Sequence, residues 1–218
     1  MRKYDFKKQM QATSYYDKFS RVYDILSPKF YYHKARSQAI RELRLIKGMS
    51  VLNVPVGTGQ NFEYFQQYLK NSGLIIGVDI SSGMLQKAQI KIDRNQWINI
   101  KLLNQDVINL EKTLKNELIK ENNFEGFDAI FCDLGLSGFP HWEKIIDVLL
   151  SMLSKNGRIA IMDWYIEKPS LRGNFVKWIG KGEVNRPIWQ YLEVNVNDFK
   201  VDSSFNYGGV FVASGTKK

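Results

Sequence analysis

Val51-Leu52-Asn53-Val54-Pro55-Val56-Gly57-Thr58-Gly59-Gln60-Asn61 is an apolar, β-rich run that breaks into a Gly-x-Gly turn. Further along, Ile75-Ile76-Gly77-Val78-Asp79 is a second apolar run, and it ends in an acid. In an open α/β fold, a first turn of this kind lets backbone approach a nucleoside-like ligand. The acid at the tip of the next strand takes the ribose hydroxyls. The two runs together predict a parallel sheet with a ligand at the carboxyl edge of its strands.

Outward from this pair, strand-like runs alternate with helical patterns along the chain. Strands are expected near 50–55, 74–79, 99–103, 128–133, 158–164, 198–204 and 208–215, and helices near 60–70, 82–94, 107–120, 140–153 and 186–194. Ser81-Ser82 is placed to cap the second of these helices, and Asn156-Gly157 to turn into the fifth strand. Tyr207-Gly208-Gly209 reads as a short hairpin link between the last two strands. The expected fold is therefore α/β, Rossmann-like and doubly wound. Its seven-stranded sheet is mostly parallel, with a C-terminal antiparallel pair.

Two segments fall outside the alternation. In the first, Tyr15, Tyr16, Phe19, Tyr23 and Leu26 recur at three- and four-residue spacing, which predicts an aromatic helix. In the second, Pro169, Gly173, Gly180, Gly182 and Pro187 predict an irregular cap. The whole reads as one domain over 1–218. Residues 1–47 form a helical lid, 48–164 the ligand-binding core, 165–190 a cap insertion and 191–218 the C-terminal strands.

Composition narrows the class. The 218 residues are 44% hydrophobic and 24% charged, the balance of an ordinary globular domain. No apolar run approaches a membrane span and the basic N-terminus lacks a secretory apolar segment, so a cytoplasmic protein is expected. Cys132 is the only cysteine, and His33 and His141 stand at no metal-ligand spacing, so no metal is expected. The net charge of +9 is uneven, since residues 1–47 hold twelve Lys/Arg against four acids. Such a segment suits an anionic partner, such as the inner face of a membrane, or simply a solvated face.

The glycine turn is not a dinucleotide fingerprint. Phe62 stands where G-x-G-x-x-G needs its third glycine, and no phosphate loop follows. A nicotinamide-dependent reductase is therefore disfavoured. Three acids suit a nucleoside without pyrophosphate. Asp79 ends the second strand, Asp106 follows the third in Asn104-Gln105-Asp106-Val107, and Asp133 ends the fourth, Phe127-Asp128-Ala129-Ile130-Phe131-Cys132-Asp133.

This set resembles the class I S-adenosylmethionine-dependent methyltransferases, over nearly the whole chain. The first motif departs from the family at Asn53 and Pro55, where an acid and a glycine are usual. The resemblance implies S-adenosylmethionine as cofactor. Asn53, Pro55, Gly57, Gly59 and Asn61 would lie along its methionine portion, and Asp79 on its ribose. Asp106 and Val107 would meet the adenine, bracketed by Ile80 and Met84. Tyr15-Tyr16-Asp17-Lys18-Phe19-Ser20-Arg21-Val22-Tyr23-Asp24 looks like the entry helix of two groups in this superfamily: quinone-biosynthesis C-methyltransferases and bacterial phospholipid or betaine-lipid N-methyltransferases. Gly59-Gln60-Asn61-Phe62 and the final Gly208-Gly209-Val210-Phe211-Val212 look closer to the second.

The acceptor implied is a lipid-type amine, with a quinone precursor as the alternative. Tyr16, Phe19 and Tyr23 would offer π faces to a cationic amine. Asp133, His141 and Tyr23 are the candidates for handling a proton. Nucleic acid is a weaker partner, because the Asn/Asp-Pro-Pro-aromatic signature of base-amine methyltransferases is replaced by Asp133-Leu134-Gly135-Leu136. Other RNA or small-molecule acceptors stay open, as does a non-catalytic cofactor-binding protein. Nothing in the sequence speaks to oligomeric state.

Overall fold

Four apolar runs become four parallel strands because both of their faces are covered by helices. A computed structural model describes residues 29–117, 124–168, 173–174, 176–177 and 182–218. The described elements, in chain order, are α1 (Lys29–Glu42), β1 (Ser50–Val54), α2 (Phe62–Leu69), β2 (Leu74–Asp79), α3 (Ser82–Asn95) and β3 (Ile100–Asn104). They continue with α4 (Leu110–Glu117), β4 (Phe127–Asp133), α5 (Trp142–Ser151), β5 (Leu153–Trp164), α6 (Ile188–Glu193), β6 (Val196–Ser204) and β7 (Val210–Lys217). The seven strands form one sheet in the order β3-β2-β1-β4-β5-β7-β6. β1 to β5 pair in parallel, and β7 enters antiparallel between β5 and β6.

The two faces are sorted by strand alternation. Val51, Ala129, Phe131, Ala160 and Met162 pack beneath α1, α2 and α3, while Leu52, Val54, Ile130, Ile159 and Ile161 pack beneath α4, α5 and α6. The reversal of strand order between β1 and β4 opens a crevice at their carboxyl ends, where ligands bind in folds of this kind.

Several boundaries differ from expectation for local reasons. Ser81 caps α3 as anticipated, its hydroxyl accepting the Met84 N–H at 3.2 Å. The helix expected from 107 starts as a 3-10 turn at Val107–Asn109, because Asp106 caps it by accepting the Ile108 N–H. β5 begins at Leu153 rather than near 158, with a register shift against β4 between Phe127 and Ala129. The hairpin link expected at 207–209 joins the antiparallel β6 and β7 through a turn at Phe205–Gly208, in which Asn206 and Tyr207 take left-handed backbone.

The first 28 residues lie outside the described set, and with them Tyr15, Tyr16, Phe19 and Tyr23. The part of the expected lid that is described, α1, is not a loose cover. Ala35, Ala39, Ile40 and Leu43 are buried against the sheet. The helix runs the full height of the strands: Tyr32 meets Trp164 at the carboxyl end of β5, ring centroids 5.9 Å apart. Near the other end of β5, Arg158 Nε donates to the Glu42 carbonyl, satisfying the carboxyl terminus of α1.

Arg158 is itself buried, and its NH1 also donates to Thr216 on β7 at 2.7 Å. Arg158→Ala deletes a helix cap and a cross-strand bond together. The expected cost is about 2 kcal/mol of stability. Urea unfolding of the two proteins measures this, and an unchanged midpoint would refute the pinning role.

Candidate functional site

The Gly-x-Gly turn is shaped by two glycines with different reasons to be glycine. Gly59, at φ +76, faces the Phe62 ring so closely that a Cβ would lie 2.5 Å from it. Phe62 thus fills the space under the turn that a dinucleotide fold leaves to its third glycine. Gly57, at φ +54, has nothing within 4 Å of where a Cβ would stand. Its open side is a cradle that a ligand can enter, and its N–H donates to Asp79 Oδ2 at 2.8 Å.

Asp79 closes β2 with its carboxylate fixed from both sides. Oδ2 holds the Gly57 N–H and Oδ1 holds the Ser81 N–H at 2.9 Å. A carboxylate oxygen carries more than one acceptor site, so a group of this kind suits hydroxyl donors. Ile80 is half-buried beside it, whereas Met84 is 3% exposed in the first turn of α3. Asp106 caps the 3-10 turn through Oδ1. The Val107 side chain belongs to the core beneath α4 and α5, so only its backbone can serve a ligand.

Asn53 does not face the crevice as expected of a methionine-side residue. It is fully buried, with Nδ2 donating to the Phe131 carbonyl and Oδ1 accepting from Asn61 Nδ2 at 3.1 Å. Replacing an acid with an amide here lets β1 bond to β4 and to the base of α2. Pro55, which follows a cis peptide bond, lies against Gly135, where a Cβ would sit 2.4 Å from Pro55 Cδ.

At the end of β4, Asp133 meets a partner absent from the sequence reading. Arg36 on α1 is 2% exposed and reaches Asp133 Oδ2 through Nε at 3.1 Å and NH2 at 3.0 Å. Its NH1 donates to Gln60 Oε1 at 3.2 Å. The guanidinium lies 5.9 Å from the Tyr32 ring centroid and 6.0 Å from that of Tyr64. His33, one turn away on α1, has Nδ1 at 2.9 Å from the Tyr64 hydroxyl.

The pairing gives Arg36, a buried cation, its counter-ion. His141 is not drawn to Asp133 by any described bond; it stands at the amino end of α5, half-buried.

Two buried oxygens in this neighbourhood have no hydrogen-bond partner among the described residues: Asp133 Oδ1 and Asn61 Oδ1. The Asn61 amide cannot swap ends to relieve this. Asn53 gives its Nδ2 to Phe131, so it offers only an oxygen to Asn61. Buried acceptors left without a donor suit a donor-rich cationic group such as an ammonium.

The methyltransferase domain family matches residues 45–193. The chain belongs to that family. It is 23% identical over 159 residues to the demethylmenaquinone methyltransferase of Geobacillus sp. strain WCH70, covering 72% of this chain and 62% of that one. Across the first curated relatives matched, the chain spans 36 to 66% of their length. Its fold is that of the Haloferax volcanii methyltransferase solved with the Trm112 activator (TM-score 0.70, 12% identity, 93% and 97% of the chains covered). It is also that of the N-methyltransferase NodS from Bradyrhizobium japonicum WM9, solved with S-adenosyl-L-homocysteine (TM-score 0.69, 12% identity, 94% and 98% covered). The chain accordingly carries the expected Rossmann-like methyltransferase fold.

A second buried acid stands behind the site. Asp163 is fully buried on the opposite face of the sheet from Arg36, with Oδ2 accepting the Ser137 N–H at 2.9 Å and Oδ1 the Trp164 N–H at 2.7 Å. Burial pushes its pKa from 3.8 up to about 6, against the pull of these donors and with help from the Asp133 charge. Burial, Asp163 and Asp133 also raise the neighbouring Cys132 thiol, which stays protonated and inert.

Because the folded pKa of Asp163 exceeds the unfolded one, its neutral form favours folding at low pH. That contribution is complete below about pH 4 and is lost as pH rises through about 6. Its size is about 3 kcal/mol. Urea midpoints of wild type and Asp163→Asn, taken from pH 4 to 7, are expected to diverge in slope over that window. Parallel curves would show that Asp163 does not titrate there.

Proposed function

We propose that this chain methylates an amphiphilic acceptor of the lipid class, at an amine of a phospholipid or betaine-lipid headgroup. The cofactor half of the reading rests chiefly on one observation: two buried acceptors without a partner among the described residues, Asp133 Oδ1 at the end of β4 and Asn61 Oδ1 at the start of α2. Their chemistry fits the methionine ammonium of S-adenosylmethionine. In this reading Asp79 receives the ribose hydroxyls, Ile80 and Met84 flank the adenine, and Asp106 with the Val107 backbone faces its amino edge. Gly57 and Gly59 shape the turn that admits the ligand. Asn53 and Pro55 act beneath it, as braces.

When bound, the cofactor supplies a methyl group already made electrophilic by its sulfonium. The protein's task is then alignment and exclusion of water. Arg36 positions Asp133, and Tyr32, Trp164 and Tyr64 wall the site with apolar surface. An amine acceptor must arrive with its lone pair free. Since Asp133 is committed to Arg36, solvent or a rim group such as His33 takes that proton.

The aromatic spacing of Tyr16, Phe19 and Tyr23 supports the amine reading, because such rings can face a methylated ammonium. A second reading, C-methylation of a prenyl-quinone precursor, is favoured by the demethylmenaquinone methyltransferases among the sequence relatives. Both acceptors are amphiphiles. Labelled methyl transfer to phosphatidylethanolamine vesicles and to a demethylated quinol separates the two. Label in neither lipid would reject the acceptor class.

The cofactor assignment has its own test. Asp79→Ala is expected to weaken S-adenosylmethionine binding by about 10- to 100-fold in calorimetry, equivalent to roughly 1.5–3 kcal/mol. An unchanged dissociation constant would overturn the placement of the ribose.

A further inference from the structure

Where β2 leaves the sheet, its backbone is held from both sides. The Val78 carbonyl accepts the Val56 N–H at 2.8 Å, from the chain entering the Gly-x-Gly turn. On the other side lies β3, the edge strand, whose last residue, Asn104, stands opposite Asp79 in the parallel register. The Asp79 carbonyl accepts the Gln105 N–H at 3.1 Å, continuing that ladder by one bond. Asn104 adds a side-chain tie. Its Nδ2 donates to the Asp79 carbonyl at 3.1 Å and to the Ile80 carbonyl at 2.9 Å.

Ile80 lies one residue past the end of β2, beyond the paired register, so this tie extends the joint outside the sheet. An asparagine amide carries two N–H donors on one nitrogen, and here they span two successive carbonyls. The acceptors also fix which end of the amide faces them, since an oxygen in that place would oppose both carbonyls. Asn104 is exposed and lies outside the core. Its bonds therefore act on the geometry of the two strand tips rather than on packing.

Two acids hang on this joint. The Asp79 carboxylate is held by the Gly57 and Ser81 N–H groups. Asp106, two residues beyond Asn104, is held by the Ile108 N–H at 3.2 Å. Each acid is oriented by its own loop, whereas the span between them is set where the tip of β3 is tied to the tip of β2. Gln105 contributes a backbone bond that any residue but proline could make. The amide of Asn104 is the part of the joint that depends on side-chain identity.

We propose that Asn104 is a positioning residue that sets the span between Asp79 and Asp106, and with it the fit of the adenosyl part of the ligand. The inference rests on the S-adenosylmethionine reading of the site. Asn104 acts on that ligand through Asp79, Ile80 and Asp106, not by touching it.

The test is calorimetry on the full chain with S-adenosylhomocysteine and with methylthioadenosine, which keeps the adenosyl end and lacks the amino-acid end. Asn104→Ala is expected to weaken both ligands by about three- to ten-fold, the worth of one or two hydrogen bonds. Asn104→Asp sets a carboxylate oxygen against two carbonyls and is expected to weaken both further. The unliganded Asn104→Ala protein is expected to melt with wild type, because the residue is exposed. A double-mutant cycle with Asp79→Ala separates positioning from an independent structural effect. Since Asn104 works partly through Asp79, the combined loss is expected to fall short of the product of the single losses.

Unchanged affinity in both Asn104 variants overturns the inference, as do losses that multiply in full with that of Asp79→Ala. A loss for S-adenosylhomocysteine that methylthioadenosine does not share also overturns it, because the effect would then lie at the amino-acid end. In each of these cases wild type still binds and the cofactor reading stands. Wild type that binds neither ligand removes the cofactor reading, and this inference with it.

Discussion

The buried ion pair between Arg36 and Asp133 is the constraint on which the site depends. Each charge taken from water costs several kcal/mol, so neither residue is stable in place without the other. Arg36 spends two of its donors on one carboxylate oxygen and another on Gln60. The pair thereby sets the register of α1 on the sheet, aims the remaining oxygen of Asp133 and ties the amino end of α2 to both. A hydrophobic pair could pack as tightly. It could not leave one carboxylate oxygen without a partner among the described residues.

Most of the fold was legible because its signals are local. Val51 to Val54, Ile75 to Val78 and Ala129 to Cys132 are continuous apolar runs, as strands covered on both faces must be. The edge strand β6 was also found, though it is mostly exposed, because β-branched and charged residues alternate beside a turn. Asp79 and the two glycines stand out in the sequence because a turn and a strand tip have their own sequence chemistry. Arg36 was not, because it lies in Lys34-Ala35-Arg36-Ser37 and reads as solvated charge. Its partner is 97 positions away, and no periodic pattern carries that distance. The same holds for Asp163, whose role depends on burial between Cys132 and the Ser137 loop. Asn53 shows the opposite case: its motif position suggests ligand contact, and its side-chain bonds to Phe131 and Asn61 are not legible in the motif.

The loop after β4 shows how the two faces of the sheet cooperate. From below, Asp163 holds the Ser137 N–H. From the side, Arg186 NH1 donates to the carbonyls of Leu136 and Phe139, at 2.8 and 2.6 Å. The Glu183 N–H reaches the Ser137 carbonyl at 2.8 Å, and Gly182 is packed so close to Ser137 that a Cβ would lie 2.6 Å from its oxygen. The described end of the expected cap is thus a strap fastened to the loop that follows Asp133, rather than a free flap.

This arrangement separates what the fold must conserve physically from what it can vary. The cofactor side is built from strand ends, a helix cap and a buried ion pair, all of which fail together if one is displaced. The strap and the outer rim are fastened mainly through backbone carbonyls and N–H groups, which constrain side-chain identity weakly. Residues such as Gly138 and Phe139 can therefore change without disturbing Asp79 or Asp133. That is also why the cofactor could be inferred from the sequence well before the acceptor.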